Sequence, residues 1–488
     1  MQGQTSAFDI KVRNSFAPYV VKKELVHSHE TSRLPRFISE YLIAKFCPMD
    51  NPTSDDLKKL SDFVNAHFPE LRDKDKILHD IMTQGSYTFM DEFKVETDIK
   101  GGRHRLIIPC LNVRDAKILS TILENNEGLL RSGMWGIAKV KYVPEDQAQN
   151  DILTMYQSRI MPSSTPLLMT EFTPFEVSNV SLGEFASKRK SFTRNEWIEL
   201  LIRSIGLNPA VYSENQRLLM LMRLVPLVES NCNLLELGPK ATGKTYLYRN
   251  ISYSTRLISG GKVSPAVLFY NIATKTVGEI GIRDCVALDE IGKLVFANSE
   301  EMVGKLKDYM VDGFFERGPK KAHAKSSLVF MGNIESERSS SRPADIVTAL
   351  PSFMKDSALL DRVHSLIPGW ELPKIMQSSS HLASGYGIVA DYLSEIFHQM
   401  SLESYADIIA DKVKFEGDQA TIRDEKAIKK ISSGLLKLIC PDRNCDESDI
   451  SLCVDAAIRG RERINSLLHA LSPGEFDEKR FSFTVSAA

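Results

Sequence analysis

The sequence predicts an α/β P-loop fold, a parallel sheet with helices on both faces. Helical and OB-like β-barrel domains precede it, and a helical lid follows. Three observations carry this. Leu234-Leu235-Glu236-Leu237 reads as a buried strand. It runs into Gly238-Pro239-Lys240-Ala241-Thr242-Gly243-Lys244-Thr245, the G-x-x-x-x-G-K-T pattern, with a helix-compatible run behind it. Cys285-Val286-Ala287-Leu288 is a second apolar strand, ending in Asp289-Glu290. Leu328-Val329-Phe330-Met331-Gly332 is a third, ending in Asn333.

Each pattern points to a step in nucleotide chemistry. Gly238 and Gly243 let the backbone wrap a phosphate chain at dihedrals that a side chain resists. The amides of the loop and helix start then face the phosphates. On this reading Gly238, Pro239, Lys240, Ala241, Thr242, Gly243, Lys244 and Thr245 form the cradle for ATP. Lys244 reaches the β- and γ-phosphates, and the Thr245 hydroxyl is placed for Mg²⁺. The bland alternative is a chance glycine-rich turn.

The Asp-Glu pair follows Lys244 by about forty-five residues. In a P-loop ATPase an acid-tipped strand is the second required element. Asp289 holds Mg²⁺ through water, and Glu290 orients and polarises the attacking water. Asn333, at its strand tip, can hydrogen-bond the γ-phosphate or that water; the alternative is an ordinary strand terminator. Arg362 follows the apolar Leu359-Leu360. At a subunit edge it reaches a neighbour's γ-phosphate; otherwise it pairs with Asp361 or another acid.

Composition bounds the partners. A chain of 488 residues holds two to four domains. The net charge of −2 means that nucleic-acid binding must come from local patches. Two basic hairpins are candidates: Lys100, Arg103 and Arg105 flank a Gly-Gly turn, and Lys320, Lys321 and Lys325 lie in the hairpin 314–326, which turns at Gly318-Pro319. Both can equally be solvated turns. The seven cysteines include no C-x-x-C pair, which argues against zinc. No run of about 18 apolar residues is present, which argues against a membrane partner and for the cytoplasm.

The expected organisation is a helical domain over 1–74, a β-rich OB-like domain over 75–185 with a DNA-contact role, an ATPase core over 186–370, and a helical lid with a short tail over 371–488. The run 187–190 (Ser-Lys-Arg-Lys) reads as a linker, 115–124 as a helix, and 256–259 and 267–270 as two strands separated by Gly260-Gly261. In the lid, Arg423 at a helix start is the first candidate to face the nucleotide, with Arg459 or Arg461 second.

The motif order resembles the AAA+ ATPase plan. Finer segments are similar to the BrxL family, the Lon-related AAA+ proteins of BREX anti-phage systems. They include Leu257-Ile258-Ser259-Gly260-Gly261-Lys262, Lys307-Asp308-Tyr309-Met310, Phe330-Met331-Gly332-Asn333, Asp361-Arg362-Val363-His364 and Ile367-Pro368-Gly369-Trp370-Glu371. The similarity covers nearly the whole chain and is most specific over 193–470. Two departures matter. Lys240-Ala241 stand where the family suggests Arg-Gly. Full-length BrxL proteins also continue into a Lon-like domain with a Ser–Lys dyad. The chain ends at Ala488, so no protease active site is expected in it.

The resemblance implies a homo-oligomer, a hexameric ring or a stacked double ring, with ATP and Mg²⁺ between subunits. It implies association with double-stranded DNA and with other phage-defence proteins. The core is also similar to MCM-type helicases, where a barrel and a hairpin line a channel; Lys320, Lys321 and Lys325 fall on that hairpin here. The expected function is an ATPase coupled to binding of, or movement on, double-stranded DNA. The alternative is an ATP-dependent protein unfoldase, for which Gly385-Tyr386-Gly387 is the nearest pore-loop candidate.

Overall fold

The computed structural model describes residues 6–27, 33–47, 52–98, 102–131, 133–144, 165–175, 180–334, 342–376, 380–416 and 420–486. Lys100 lies outside them. The chain forms two compact units: Leu25–Ser178, and Met1–Glu24 together with Asn179–Ala488. The smaller unit is therefore inserted into the larger, and 1–74 is not a separate helical domain. Helix Ala7–Phe16 belongs to the larger unit because Phe16 packs on Phe185, Phe192 and Trp197. Asp9 also pairs there with Arg203 at 2.6 Å. The most distant of these partners lies 194 residues away, beyond any local pattern.

In the inserted unit, helices Arg36–Phe46, Ser54–His67 and Lys74–Gln84 precede a barrel. Its strands are β1 (Ser86–Asp98), β2 (Arg103–Ile108), β3 (Val113–Ile118), β4 (Met134–Tyr142) and β5 (Leu167–Pro174). They close in the order β1-β2-β3-β5-β4. Along β4, Met134, Gly136, Ala138 and Val140 point inward in strict alternation, as one barrel wall requires. The expected helix over 115–124 gives way to β3 and a short helix, Ser120–Asn125. Closure needs a third strand, and Ala116 supplies its inward face opposite Leu106.

In the larger unit the central sheet has five parallel strands: β6 (Asn233–Gly238), β7 (Thr255–Val263), β8 (Cys285–Phe296), β9 (Ser327–Asn333) and β10 (Ser365–Pro368). Their order is β10-β6-β9-β8-β7. Every residue of β6 is buried, as is usual for a parallel strand covered on both faces. The chain leaves β6 for the far edge at β7, then works back across β8 and β9 and passes β6 to reach β10. That reversal makes the carboxyl end of β6 the topological switch point, where open α/β sheets bind ligands.

Two expectations are corrected here. β7 runs straight through Gly260 and Gly261, both in the left-handed region, and 265–268 is a helical turn. The run 187–190 is folded, not a linker. It ends helix Leu182–Lys188, and Arg189 donates to the carbonyls of Ile439 and Phe192 at 2.7 Å while stacking on Trp197. After the sheet come helices Ala390–Leu402, Ile422–Ile439 and Glu447–Leu471. The terminal strand Ser482–Val485 pairs with Val413–Glu416. No helix among the described residues is long and apolar enough to cross a membrane.

Candidate nucleotide site

The G-x-x-x-x-G-K-T loop leaves β6 at the switch point. Gly238 is required because the backbone of Gly369 passes 2.5 Å from where its Cβ would stand. Gly243 caps helix Lys244–Asn250 at φ 83°, a conformation other residues resist. Lys240 and Ala241 form the exposed crest. Ala241 has φ 66°, and its carbonyl accepts from the Ile375 amide at 2.7 Å.

Lys244 is buried, and its Nζ donates to the carbonyls of Gly238 and Pro239 at 2.9 Å each. Burial pushes its ammonium below the ordinary lysine range, and nearby Glu236 partly offsets this. Thr245 Oγ1 donates to Asp289 Oδ2 at 2.6 Å. The other Asp289 oxygen accepts the Glu290 amide at 2.8 Å. The hydroxyl and the carboxylate thus converge, although 44 residues separate them. Hard oxygen donors of this kind suit Mg²⁺, which takes one or two protein oxygens and fills the rest of its shell with phosphate and water.

Glu290 follows at φ 50°, where the β8–β7 register breaks between Asp289 and Leu294. Such irregularities re-aim side chains beside active sites. The Glu290 carboxylate turns toward Gly260 and pairs with Lys293 at 3.2 Å. Asn333 is exposed at the tip of β9, in register with Gly238, which sets it beside the loop. The loop, Thr245, Asp289, Glu290 and Asn333 therefore share one edge of the sheet. A cation-bearing phosphate chain and a polarised water fit that edge chemically.

The remaining candidates fall elsewhere. Arg362 has no ion pair among the described residues; its Nη1 donates to the Ala358 carbonyl, and its buried Nε has no partner. Desolvation, then repulsion from Arg423, lowers its pKa. Asp361 is taken by others: Arg461 Nη2 at 2.6 Å, and Arg423. Arg423 therefore sits on Asp361 rather than on the loop. Arg461 is wholly buried, with Nε 2.7 Å from Asp424. Arg459 lines a cleft of about 420 Å³ with Trp370 and Arg463.

In the hairpin of Phe314–Arg317 and Lys320–His323, Lys321 pairs with Glu316 at 3.3 Å, and no ionic partner for Lys320 or Lys325 is found among the described residues. In the barrel, Arg103 lies 3.5 Å from Asp115 and Arg105 lies 3.6 Å from Glu96.

Sequence reasoning missed Arg223 and Glu236, both fully buried and bidentately paired beneath the loop. The signal was there: a carboxylate inside an apolar buried strand demands a cationic partner.

Two family models match the chain. Residues 167–482 match the family model described as "Lon-like protease BrxL-like, ATPase domain". Residues 14–142 match "BREX system Lon protease-like protein BrxL N-terminal". The chain belongs to the BrxL family. The protein named Lon-like protease BrxL from Escherichia coli O9:H4 (strain HS) is 32% identical over 479 residues, 97% of this chain and 66% of that protein. Its namesake from Bacillus cereus (strain H3081.97) is also 32% identical, over 480 residues, 97% of this chain and 68% of the relative. This BrxL-family chain thus spans about two thirds of the length of the curated relatives it matches. Its ATPase-domain match encloses the whole strand-edge cluster, from Gly238 to Asn333.

Proposed function

We propose that this chain is a ring-forming AAA+ ATPase that couples ATP binding and hydrolysis to binding of, or movement on, double-stranded DNA in anti-phage defence of the BREX type. The observation that carries the ATPase reading is the 2.6 Å contact of Thr245 with Asp289, with Glu290 next in the chain and Asn333 level with Gly238. In this reading Lys244 leaves its carbonyls for the phosphates. Thr245 and Asp289 hold Mg²⁺, which neutralises phosphate charge when bound. Glu290 leaves Lys293 and takes a proton from water. Arg362, with its partnerless Nε, serves the site of a neighbouring subunit.

DNA contact rests on Lys320 and Lys325, whose charges no acid among the described residues cancels. The unfoldase reading loses its pore loop, because Tyr386 is buried and paired with Lys22 in a two-stranded sheet. The relatives' name, Lon-like protease, keeps unfolded protein as the competing stimulus in the test.

The test is steady-state ATP hydrolysis by the purified chain, alone, with duplex DNA and with unfolded protein. We expect stimulation by duplex. Glu290→Gln should reduce turnover about a hundredfold or more while nucleotide still binds. Stimulation by unfolded protein alone would reverse the choice of substrate. Hydrolysis indifferent to Glu290→Gln would remove the catalytic assignment.

A further inference from the structure

Glu236 lies in a strand with no exposed residue, where a lone carboxylate is costly. Its partner, Arg223, follows helix Glu214–Met222 and is itself fully buried. Arg223 Nε and Nη2 engage the two carboxylate oxygens, Nε at 3.0 Å. Nη1 turns the other way. It donates to the Thr242 carbonyl at 2.9 Å, with Met220 Sδ 3.3 Å away. The Arg223 carbonyl in turn accepts from the Tyr248 hydroxyl at 2.8 Å. One arginine therefore ties together the strand before the loop, the loop itself and the helix after it.

We propose that Arg223 is a positioning residue for nucleotide binding, setting the P-loop's shape through the Thr242 carbonyl while Glu236 holds its guanidinium in place. The inference rests on the reading of the loop as a nucleotide cradle. A trans peptide points its C=O and N–H in opposite directions. Holding the Thr242 carbonyl inward on Arg223 therefore turns the Gly243 amide outward, to the side where a loop of this kind meets phosphate. A lysine could not replace this arginine, because the planar fork spans a carboxylate and a carbonyl at once. The pair also sets the charge that Lys244 meets: Glu236 favours its ammonium and Arg223 opposes it.

The test compares nucleotide affinity with thermal stability in the full chain. The double variant Arg223→Met/Glu236→Leu replaces the ion pair by apolar groups of similar volume, a change cores often tolerate, and removes the bond to Thr242. Its melting temperature should stay near that of the parent, while its Kd for a fluorescent ATP analogue weakens about tenfold or more. Arg223→Lys, which keeps a charge on Glu236, should show the same loss without unfolding. Parent-like affinity in either folded variant overturns the proposal, whether or not the melting temperature has dropped. Failure of the parent chain to bind the analogue overturns the nucleotide reading itself, a result distinct from failure in the variants alone.

Discussion

The carboxyl edge of the parallel sheet and the first hairpin of the barrel handle charge in opposite ways. At the sheet edge, unlike groups from strand ends and the helix after the loop gather in one place: Thr245 on Asp289, Glu290 beside it, Asn333 level with Gly238. In the barrel hairpin the charges cancel across the ladder. Glu96 stands opposite Arg105, and Asp98 opposite Arg103. Cross-strand neighbours of opposite sign are a normal source of sheet stability. The lesson is that a run of basic residues in a sequence is not yet a basic surface. Pairing register decides whether a hairpin offers its arginines to a partner or spends them internally.

Acid should separate the two units by the sign of its effect, and this is the largest difference we expect. His364, just before β10, is buried, and its Nδ1 accepts the Asn233 amide at 2.8 Å, which requires a neutral ring. Burial, reinforced by Lys430, Arg461 and Lys426, holds its pKa well below the ordinary value. The unfolded chain binds that proton near pH 6.5 and the folded one does not. Stability from His364 is therefore complete above about pH 6.5 and is lost progressively as pH falls below it. In the barrel, Asp91 behaves conversely. Burial raises its pKa, although the amides of Cys110 and Glu92 bond its carboxylate. Its strain is present at neutral pH and eases as pH falls toward the unfolded carboxyl value. Unit-resolved hydrogen exchange between pH 7 and pH 5 should show the sheet loosening more than the barrel. Equal loosening would remove His364 as the cause.

What was legible in the sequence follows from how locally each feature is encoded. The loop from Gly238 to Thr245 is contiguous, and each residue's chemistry is fixed by its offset from the next. Asp289 and Asn333 were legible because apolar strands announce themselves and their tips must share an edge. Arg223 was not, because its role depends on a carboxylate 13 residues away meeting it across a packed interface. The same holds for Asp361, for which the adjacent Arg362 was only the alternative partner. The structure gives Asp361 to Arg461 instead, 100 residues downstream. The expected helical domain over 1–74 failed for this reason too: helix Ala7–Phe16 packs on Phe185, Phe192 and Trp197, far along the chain.

The barrel hairpin offers a smaller test. Each cross-strand pair contributes about 0.2–1 kcal/mol, so Arg103→Ala or Arg105→Ala should lower barrel stability only by that much. The more informative change is in the acids. Glu96→Gln with Asp98→Asn removes the two carboxylates that face Arg105 and Arg103 across the ladder. If charge cancellation is what keeps this hairpin from phosphate, duplex affinity at low salt should rise, with a salt slope steeper by about 0.9 for each new phosphate contact. Unchanged affinity and slope would mean that the hairpin lies away from any DNA path, whatever its charge.

The smallest expected effect lies on the crest of the P-loop, where the family resemblance suggested glycine and the chain has Ala241. The residue is held at φ 66° with its carbonyl on the Ile375 amide. A left-handed backbone costs an L-residue about 1–2 kcal/mol. Ala241→Gly removes that cost but loosens the unfolded chain, which takes back about 0.4–1 kcal/mol. The balance should be a stabilisation of about 0.5 kcal/mol, with nucleotide affinity held or slightly improved. A melting temperature that falls instead would show that the alanine methyl is worth more to the crest than its dihedral costs. The crest would then be tuned by packing, and the sheet edge would owe its order to more than backbone geometry and the buried pair beneath it.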